Sequence, residues 1–467
     1  MSLEKFKTVT LADVSLNNKG EYGIGASAVD YSDDLYTYLR ITDINDDGTL
    51  NNNDLKSVED EDAKNYLLKE NDIVFARTGN STGKAYYYNK MDGELVYAGF
   101  LIKFSLDPKK INPKFIKYYV LSEEYRGWVN SMCTGSTRPN INAKMYGNME
   151  ILLPPRDQQD FLVNILDEID KKIEINKRIN KNLEQLINTI FYNWFISFDK
   201  FKNLKFKNSE LGDIPEEWNC GILRDILTLI KNPIKAAETN GLPYLPIDII
   251  PMNSLGISEL KSDEEANSSL ITFDKNDILI GAMRVYFHRV VISPCFGVTR
   301  STCFVLKPKK KEYLSYLLLL CNLDQTIQYA QNTSKGTTMP YAVWDNGLGD
   351  MDIIIPPDNV LKEFHVLVFP IIEKIRDSYN EINKLQKLRD TLLPKLMSGE
   401  IDVSKINCDL KNIIKTFIKK FKCILLKYYH ERKIISKISL ITLKFLFIFL
   451  LRFIKSSILS NIIAIFF

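Results

Sequence analysis

Two long segments of the chain combine a narrow apolar stripe with mostly charged positions elsewhere. In residues 157–192, Leu and Ile recur at alternating intervals of four and three residues, and no Gly or Pro interrupts the segment. The stripe consists of Leu162, Leu166, Ile169, Ile173, Leu183, Ile187 and Ile190, with Asn176 and Asn180 at its two central positions. This spacing predicts one helix of roughly 54 Å whose apolar stripe needs a partner helix.

Residues 358–397 repeat the same spacing about two hundred residues later. Their stripe consists of Leu361, Phe364, Val368, Ile371, Ile375, Ile382, Leu385, Leu392 and Leu396, interrupted by Ser378 and Arg389. Such a stripe is also typical of a homodimeric coiled coil, but two matched helices in one chain favour an internal pair. Pro370 lies inside the second segment, and we expect it either to kink the helix near residues 366–369 or to delay its regular part to Ile371.

A mixed α/β segment precedes the first helix. Residues 71–77 (NDIVFAR) and 85–88 (AYYY) predict a hairpin around a polar loop. Residues 95–104 predict a buried strand and residues 113–129 a helix. A loop at 133–141 then leads to a strand at 149–155, which two prolines end.

A second segment repeats this order before the second helix. The apolar run 276–284 corresponds to 71–77, the helix 311–330 to 113–129, and the strand 351–357 to 149–155. Pro139 matches Pro340 at an offset of 201, and Leu11 matches Leu223 at an offset of 212. The chain is therefore predicted to be a tandem duplication of a globular segment followed by a long helix.

The net charge of +3 hides an uneven distribution. Residues 406–467 contain 12 Lys or Arg and only 2 Asp or Glu, which leaves 49 basic and 56 acidic side chains in residues 1–405. The overall charge of the first 405 residues therefore gives no argument for nucleic-acid binding, and any such surface must be local. Seven Cys without a C-x-x-C pair, three His and a polar N-terminal segment predict reduced thiols, no structural metal site, no signal peptide and a cytoplasmic location.

The sequence contains no recognisable catalytic arrangement. GNSTGK at 79–84 has three rather than four residues between its glycines, and Ala85 follows the Lys, so a phosphate-binding loop is excluded. LPPR (153–156) and IPPD (355–358) resemble the tetrapeptide of amino-methyltransferases but lack its first Asp or Asn. His288 and His365 have no partner at triad or metal spacing. We therefore expect no catalytic residues, no cofactor, no metal and no small-molecule substrate.

Polar loops in both globular segments supply residues suited to reading nucleic acid. Arg can bind guanine through two hydrogen bonds, Asn can pair with adenine, and hydroxyl groups can hold phosphates. The candidates are Arg77, Asn80, Lys84, Thr137, Arg138 and Asn140 in the first segment, and Arg284, Tyr286, Arg289, Lys335 and Thr337 in the second. The alternative is that these are ordinary solvated loops, but two equivalent sets separated by long helices suit two half-sites on one duplex.

Several stretches of residues 1–405 resemble the specificity subunits of type I restriction-modification systems. They are YLRITDI (38–44), DIVFARTGNSTGKAYYY (72–88), NWFISFD (193–199), ELGDIPEEW (210–218), LRDTLLPKLMSGEIDVS (388–404) and the junctions between the prolines and each long helix. The resemblance implies a non-catalytic subunit with an α/β fold, in which two duplicated target-recognition domains are separated by a long antiparallel two-helix coiled coil. It also implies binding to double-stranded DNA, to two adenine-methylating modification subunits and to restriction subunits.

The predicted organisation follows from this resemblance. The domains are recognition domain 1 (1–155), the first coiled-coil helix (156–200), a linker with recognition domain 2 (201–357), the second coiled-coil helix (358–405) and an atypical tail (406–467). Charges interrupt the apolar runs of the tail, so a membrane span is excluded, and a weakly helical extension is favoured over a membrane-surface helix. The alternative function for the whole chain is a stand-alone DNA-binding regulator.

Overall fold

A computed structural model of the 467-residue chain describes residues 6–52, 54–134, 139–257, 259–266, 269–398 and 400. The predicted tail at 406–467 lies outside the described residues. Within the described residues, no helix is long and apolar enough to cross a membrane.

The first block of strands and helices precedes the first long helix. Strands β1 to β10 span Lys7–Thr10, Glu21–Tyr22, Ala28–Asp30, Tyr36–Leu39, Lys56–Val58, Asp72–Ala76, Ala85–Tyr87, Leu95–Tyr97, Leu101–Ser105 and Glu150–Leu153. Helices α1 to α3 span Pro113–Tyr119, Glu123–Cys133 and Ala143–Gly147, and the long helix α4 spans Arg156–Phe195. The strands form two four-stranded sheets, ordered β2-β9-β6-β7 and β3-β5-β4-β8, and an antiparallel β1·β10 pair.

The second block follows an antiparallel hairpin formed by β11 (Phe206–Ser209) and β12 (Gly212–Pro215). Strands β13 to β22 span Asn219–Ile222, Leu227–Ile230, Pro233–Ile234, Tyr244–Leu245, Leu270–Phe273, Ile278–Gly281, Val290–Ile292, Gly297–Arg300, Cys303–Pro308 and Asp352–Ile355. Helices α5 to α7 span Leu314–Cys321, Asp324–Asn332 and Asp358–Met397. The sheets are ordered β14-β21-β18-β19 and β15-β17-β20-β16, with a separate β13·β22 pair.

The two blocks share the same backbone contacts where their termini meet. In the first, the N–H of Leu11 donates to the carbonyl of Met149 at 3.0 Å, and in the second, Leu223 donates to Met351 at 2.9 Å. Each contact closes a pair formed by the first and last strands of the block. The mixed α/β composition and the repeated order agree with the sequence prediction.

The long helices α4 and α7 pack side by side and run antiparallel. Asn176 donates to Glu381 at 2.8 Å, whereas Arg389, further along α7, pairs with Asp170, which lies earlier on α4. The predicted stripe faces the partner helix or the adjoining block, because Leu162, Leu166, Ile169, Ile173, Ile187, Leu361, Phe364, Val368, Ile375, Ile382, Leu385, Leu392 and Leu396 are all buried. Neither helix would be stable alone with its apolar stripe exposed to water. Burial of the two stripes against each other stabilises both helices.

Pro370 does not delay the second long helix, so that alternative of the prediction is wrong. Helix α7 begins at Asp358 and continues through Pro370 and Pro394. The missing N–H of Pro370 would leave the carbonyl of Val366 without its helical partner. Val366 lies on the exposed face, where water can satisfy that carbonyl.

Three predicted elements are each divided in two. The helix expected at 113–129 is α1 and α2, because Ser122 caps α2 by accepting from the N–H of Tyr125. The helix expected at 311–330 is likewise α5 and α6. The strand expected at 95–104 is β8 and β9, which meet at a turn where Leu101 N–H donates to the carbonyl of Ala98.

Each block is joined to one end of the helix pair. The core of the first block includes Leu162 of α4 and Leu392 of α7. The core of the second contains an aromatic cluster in which Phe195 lies 4.8 Å from Phe364, between ring centroids. The second block also reaches the middle of the pair, because Ser254 bonds Glu184 on α4 at 3.0 Å and Tyr379 on α7 at 2.7 Å. Burial raises the pKa of the Glu184 carboxyl at this contact.

Candidate nucleic-acid interface

The first candidate loop connects β6 to β7. It contains a 3-10 turn at Gly79–Ser81, and its base is closed by the N–H of Ala76 donating to the carbonyl of Lys84 at 2.8 Å. Gly79 and Gly83 have left-handed backbone angles, with φ of 73° and 89°. Glycine adopts these angles without steric cost, so the sequence GNSTGK builds a tight hairpin loop. Strand β7 follows the loop, whereas a phosphate-binding loop of this type leads into a helix.

A second segment of the first block is held against this loop. Thr78 forms an antiparallel bridge with Asn140, and the N–H of Ile141 donates to the carbonyl of Arg77 at 2.9 Å. The Nε atom of Arg77 also donates to Oδ1 of Asn140 at 3.3 Å. The structure therefore brings Arg77 and Asn140 together, although they are far apart in the sequence.

The other candidates of the first block differ in their surroundings. Asn80 is exposed at the tip of the loop. Lys84 forms an ion pair of 2.8 Å with Asp46, a residue whose side chain is almost fully exposed. Thr137 and Arg138 lie outside the described residues.

The second block has an equivalent loop between β18 and β19. The N–H of Arg284 donates to the carbonyl of Pro340 at 2.8 Å, and Met283 forms an antiparallel bridge with Tyr341. Lys335 pairs with Tyr341 through two backbone hydrogen bonds of 2.9 Å. These contacts place Arg284 and Lys335 on neighbouring backbone segments.

The remaining candidates of this block are placed differently. Tyr286 and Thr337 are exposed, Tyr286 in a 3-10 turn. The guanidinium of Arg289 donates from Nη1 to the carbonyl of Ile247, and it lies 5.3 Å from the ring centroid of Phe287. Its Nε atom is buried without a hydrogen-bond partner in the described structure. Arg289 is therefore largely committed to contacts within the protein.

Backbone pairing defines which loop positions correspond in the two blocks. Arg77 accepts from Ile141, and Ala282 accepts from Ala342 in the same way, at 2.8 Å. The equivalent of Arg77 is thus Ala282, whereas Arg284 occupies the position of Gly79. The two arginines that end the apolar runs of the sequence are not structural counterparts.

Two buried aspartates lie at the start of the strands that lead into these loops. Asp72 accepts from the N–H of Lys69 at 2.8 Å, and Asp277 accepts from the N–H of Asp274 at 2.7 Å. Burial raises the pKa of Asp72, and it raises the pKa of Asp277 to about 6. Because both carboxyls already cap a turn and are buried, their role is to hold the strand ends.

The two histidines considered in the sequence have structural surroundings. His288 lies with Nδ1 3.2 Å from Asp324 and with Nε2 3.0 Å from the carbonyl of Asn322. His365 contacts Ser315 at 2.9 Å and is buried, which lowers its pKa.

Sequence reasoning missed two exposed aromatic residues beside Arg77. The guanidinium carbon of Arg77 lies 5.0 Å from the ring centroid of Tyr22. Phe100 is 59% exposed at the turn between β8 and β9, and its carbonyl accepts from the N–H of Arg77 at 3.0 Å. The two-residue strand β2 gives no periodic signal, and Phe100 is hidden inside an apolar run, so neither could be assigned to this surface from the sequence.

Comparisons with known proteins agree with this architecture. The model of the type I restriction modification DNA specificity domain matches residues 4–185. The chain is 29% identical over 313 residues to the type I restriction enzyme MjaIX specificity subunit of Methanocaldococcus jannaschii, covering 63% of this chain and 70% of the relative. It is 20% identical over 473 residues to the HindI specificity subunit of Haemophilus influenzae, covering 85% of this chain and all of the relative.

A solved structure extends the likeness to the fold. The crystal structure of the type I restriction-modification S subunit from M. genitalium matches with a TM-score of 0.53 and 16% sequence identity, covering 84% of this chain and 96% of that one. At this identity the likeness shows a shared fold. Residues 4–185 thus match the type I restriction modification DNA specificity domain, and over most of its length the chain is similar to type I restriction enzyme specificity subunits.

Proposed function

We propose that the chain is the DNA sequence-specificity subunit of a type I restriction-modification complex. In this role it binds a bipartite site in double-stranded DNA and carries the adenine methyltransferase and restriction subunits. The observation that carries the proposal is the repeated loop frame: the loops after β6 and β18 are each fastened to a distant segment of their own block by the same backbone bonds. Each frame presents Arg or Lys, and basic groups and amides are the donors used on DNA.

The proposed organisation assigns one half-site to each block. Residues 1–155 and 201–357 act as recognition domains, and residues 156–200 and 358–405 form a coiled coil that fixes their separation. The ion pair between Asp170 and Arg389 and the hydrogen bond between Asn176 and Glu381 support a fixed register between the helices.

The proposed partners follow the organisation of the complex. Two methyltransferase subunits, one for each half-site, dock on this frame, and restriction subunits join them in the cytoplasm. The chain itself is non-catalytic. The DNA-contacting residues are proposed among Arg77, Asn80, Lys84, Thr137, Arg138, Asn140, Arg284, Tyr286, Arg289, Lys335 and Thr337.

The test is a map of methylated adenines. The modification subunit is expressed with and without this chain in a host that lacks the motif, and we expect a bipartite motif only when both are present. The purified chain alone should transfer no methyl group. DNA binding without co-purification of a methyltransferase would instead favour a stand-alone regulator.

A domain exchange tests the assignment of half-sites. The exchanged segment should be residues 219–355 of a relative, because β13 pairs with β22 and a cut at residue 340 would separate Tyr341 from Lys335. We expect one half-site of the methylated motif to change and the other to stay. A change in both would contradict the assignment of one half-site to each block.

A further inference from the structure

We infer that Arg77, clamped by Tyr22 and Asn140, reads a guanine in the first half-site. This inference rests on the proposed function and adds the base that one side chain recognises. Arginine recognises guanine by donating two parallel hydrogen bonds to O6 and N7 in the major groove. Asn140 and Tyr22 contact Nε and one face of the guanidinium, which leaves Nη1 and Nη2 for this contact.

The recognition edge of Arg77, formed by Nη1 and Nη2, is not used by the clamp. Nε donates to Asn140 at 3.3 Å, and the ring of Tyr22 lies against the guanidinium at 5.0 Å. Nη1 and Nη2 have no hydrogen-bond partner among the residues that the structure describes, and no described carboxylate lies within ion-pair distance. By contrast, the neighbouring Lys84 is paired with Asp46.

Backbone contacts hold both sides of the clamp in place. The N–H of Arg77 donates to Phe100 at 3.0 Å, and its carbonyl accepts from Ile141 at 2.9 Å. The hydroxyl of Tyr22 accepts from the N–H of Ala143 at 3.1 Å. A guanidinium held in this way loses little rotamer freedom on binding, which favours selective contact.

Gly23 explains how Tyr22 reaches this position. A Cβ atom at Gly23 would lie 2.3 Å from the carbonyl oxygens of Tyr97 and Ala98, so only glycine allows this close approach. The N–H of Gly23 donates to Leu101 at 3.2 Å. The β8–β9 turn therefore positions Tyr22 and Arg77 together.

The second block lacks the clamp, because Ala282 stands where the first block has Arg77. The effect of disturbing the clamp should therefore be confined to the first half-site. A phosphate contact by Arg77 would behave differently, since it would weaken binding to all sequences about equally.

The experiment uses the assembled methyltransferase complex and the motif mapped for the unaltered chain. Each guanine of the first half-site is replaced in turn by 7-deazaguanine, which lacks the N7 acceptor, and affinity is measured. One replacement should weaken binding by roughly 2- to 13-fold, the range expected for loss of one hydrogen bond, because O6 can still accept the other. In the Arg77→Ala variant, binding to unmodified DNA should be weaker, and the same replacement should have little further effect, because alanine offers no donor to guanine.

Two further variants test Tyr22 as a positioning residue. Tyr22→Leu and Tyr22→Phe both lose the hydroxyl that accepts from Ala143, so their melting temperatures should be similar. Tyr22→Leu should relax the guanine preference, whereas Tyr22→Phe, which keeps the ring, should retain it. Arg178→Ala is the matched control, because Arg178 also uses Nε, on Glu174 at 3.0 Å, but lies on α4. It should bind DNA with unchanged sequence preference.

The outcomes separate this inference from the proposed function. A first half-site without guanine, or an Arg77→Ala complex that discriminates 7-deazaguanine as strongly as the parent, would overturn the guanine contact. Uniform weakening on all sequences would assign Arg77 to a phosphate. Absence of any sequence-specific methylation by the unaltered complex would instead overturn the proposed function.

Discussion

If α4 and α7 set the distance between the two half-sites, lengthening both helices together should lengthen the unread spacer in the DNA. The insertion has to be matched, because residues 156–177 pair with the C-terminal half of α7 and the rest of α4 pairs with its N-terminal half. The matched positions follow Lys177 and Asn380, both on the second-block side of the contact between Asn176 and Glu381. Inserting four residues in α4 alone would shift Phe195 by about 6 Å from Phe364 and should destabilise the fold.

The size of the effect follows from helix geometry. Four residues add about 6 Å and rotate the following turn by about 40° beyond a full turn. One base pair adds about 3.4 Å and about 35° of twist. The length added by four residues therefore corresponds to about 1.8 base pairs, and the added rotation corresponds to about 1.1 base pairs. We expect a spacer longer by one or two base pairs.

A seven-residue insertion in both helices tests whether the rotation between the two half-sites matters as well as their distance. It adds about 10.5 Å, equal to about three base pairs, and preserves the apolar stripe to within about 20°. Three base pairs, however, rotate the half-sites by roughly 105° about the duplex. The protein should fold, but the two blocks would face different sides of the DNA, and bipartite binding should be lost.

The assay is the methylated motif mapped for each insertion variant, supported by binding to DNA probes whose spacers differ by single base pairs. Both half-site sequences should remain unchanged in the four-residue variant. A folded and active four-residue variant that keeps the parental spacer would refute the reasoning, and the helix pair would then serve as a support that does not set the spacing.

Three further predictions concern stability and the tail. Gly256→Ala would place a Cβ atom 1.9 Å from the Tyr379 ring and should lower the free energy of unfolding by about 1–3 kcal/mol in urea titrations, whereas Gly127→Ala, in open space, should not. Because folding raises the pKa of Asp277 to about 6, its contribution to stability should fall between about pH 4 and 6 as pH rises, and Asp277→Asn should flatten this slope. Removing residues 406–467 should leave assembly and methylation intact in pull-down and methylation assays.

The sequence predicts the elements that depend on regular spacing. The stripe of Leu162 to Ile190 identifies α4, and the alternation of apolar strand and polar turn identifies the β6–β7 hairpin. It does not predict the divisions of the helices, since the cap supplied by Ser122 is a single side-chain contact within a segment whose overall pattern is helical. Nor does it predict the clamp, because Tyr22, Arg77 and Asn140 meet only through tertiary contacts.

The correspondence of the two loops could not be obtained from the sequence either. The runs NDIVFAR and NDILIGAMR both end in arginine, which suggests that Arg77 and Arg284 are counterparts. Backbone hydrogen bonds instead match Arg77 with Ala282, and the longer run places Arg284 two residues into the loop. Loop register is set by backbone pairing with a distant segment, and the local sequence of the loop does not predict that pairing.

The shared frame explains how one duplicated scaffold can present different side chains. Gly79 and Gly83 have left-handed backbone angles in the first loop, and the equivalent positions of the second loop, Arg284 and His288, keep these angles with φ of 49° and 50°. A residue with a side chain pays about 1–2 kcal/mol to adopt them, so the frame and not the local sequence sets the conformation. Because that frame consists of main-chain hydrogen bonds, the side chains projecting from it are free to differ. Under the proposed function, each loop would then make its own base contacts while the helices hold the two loops in register.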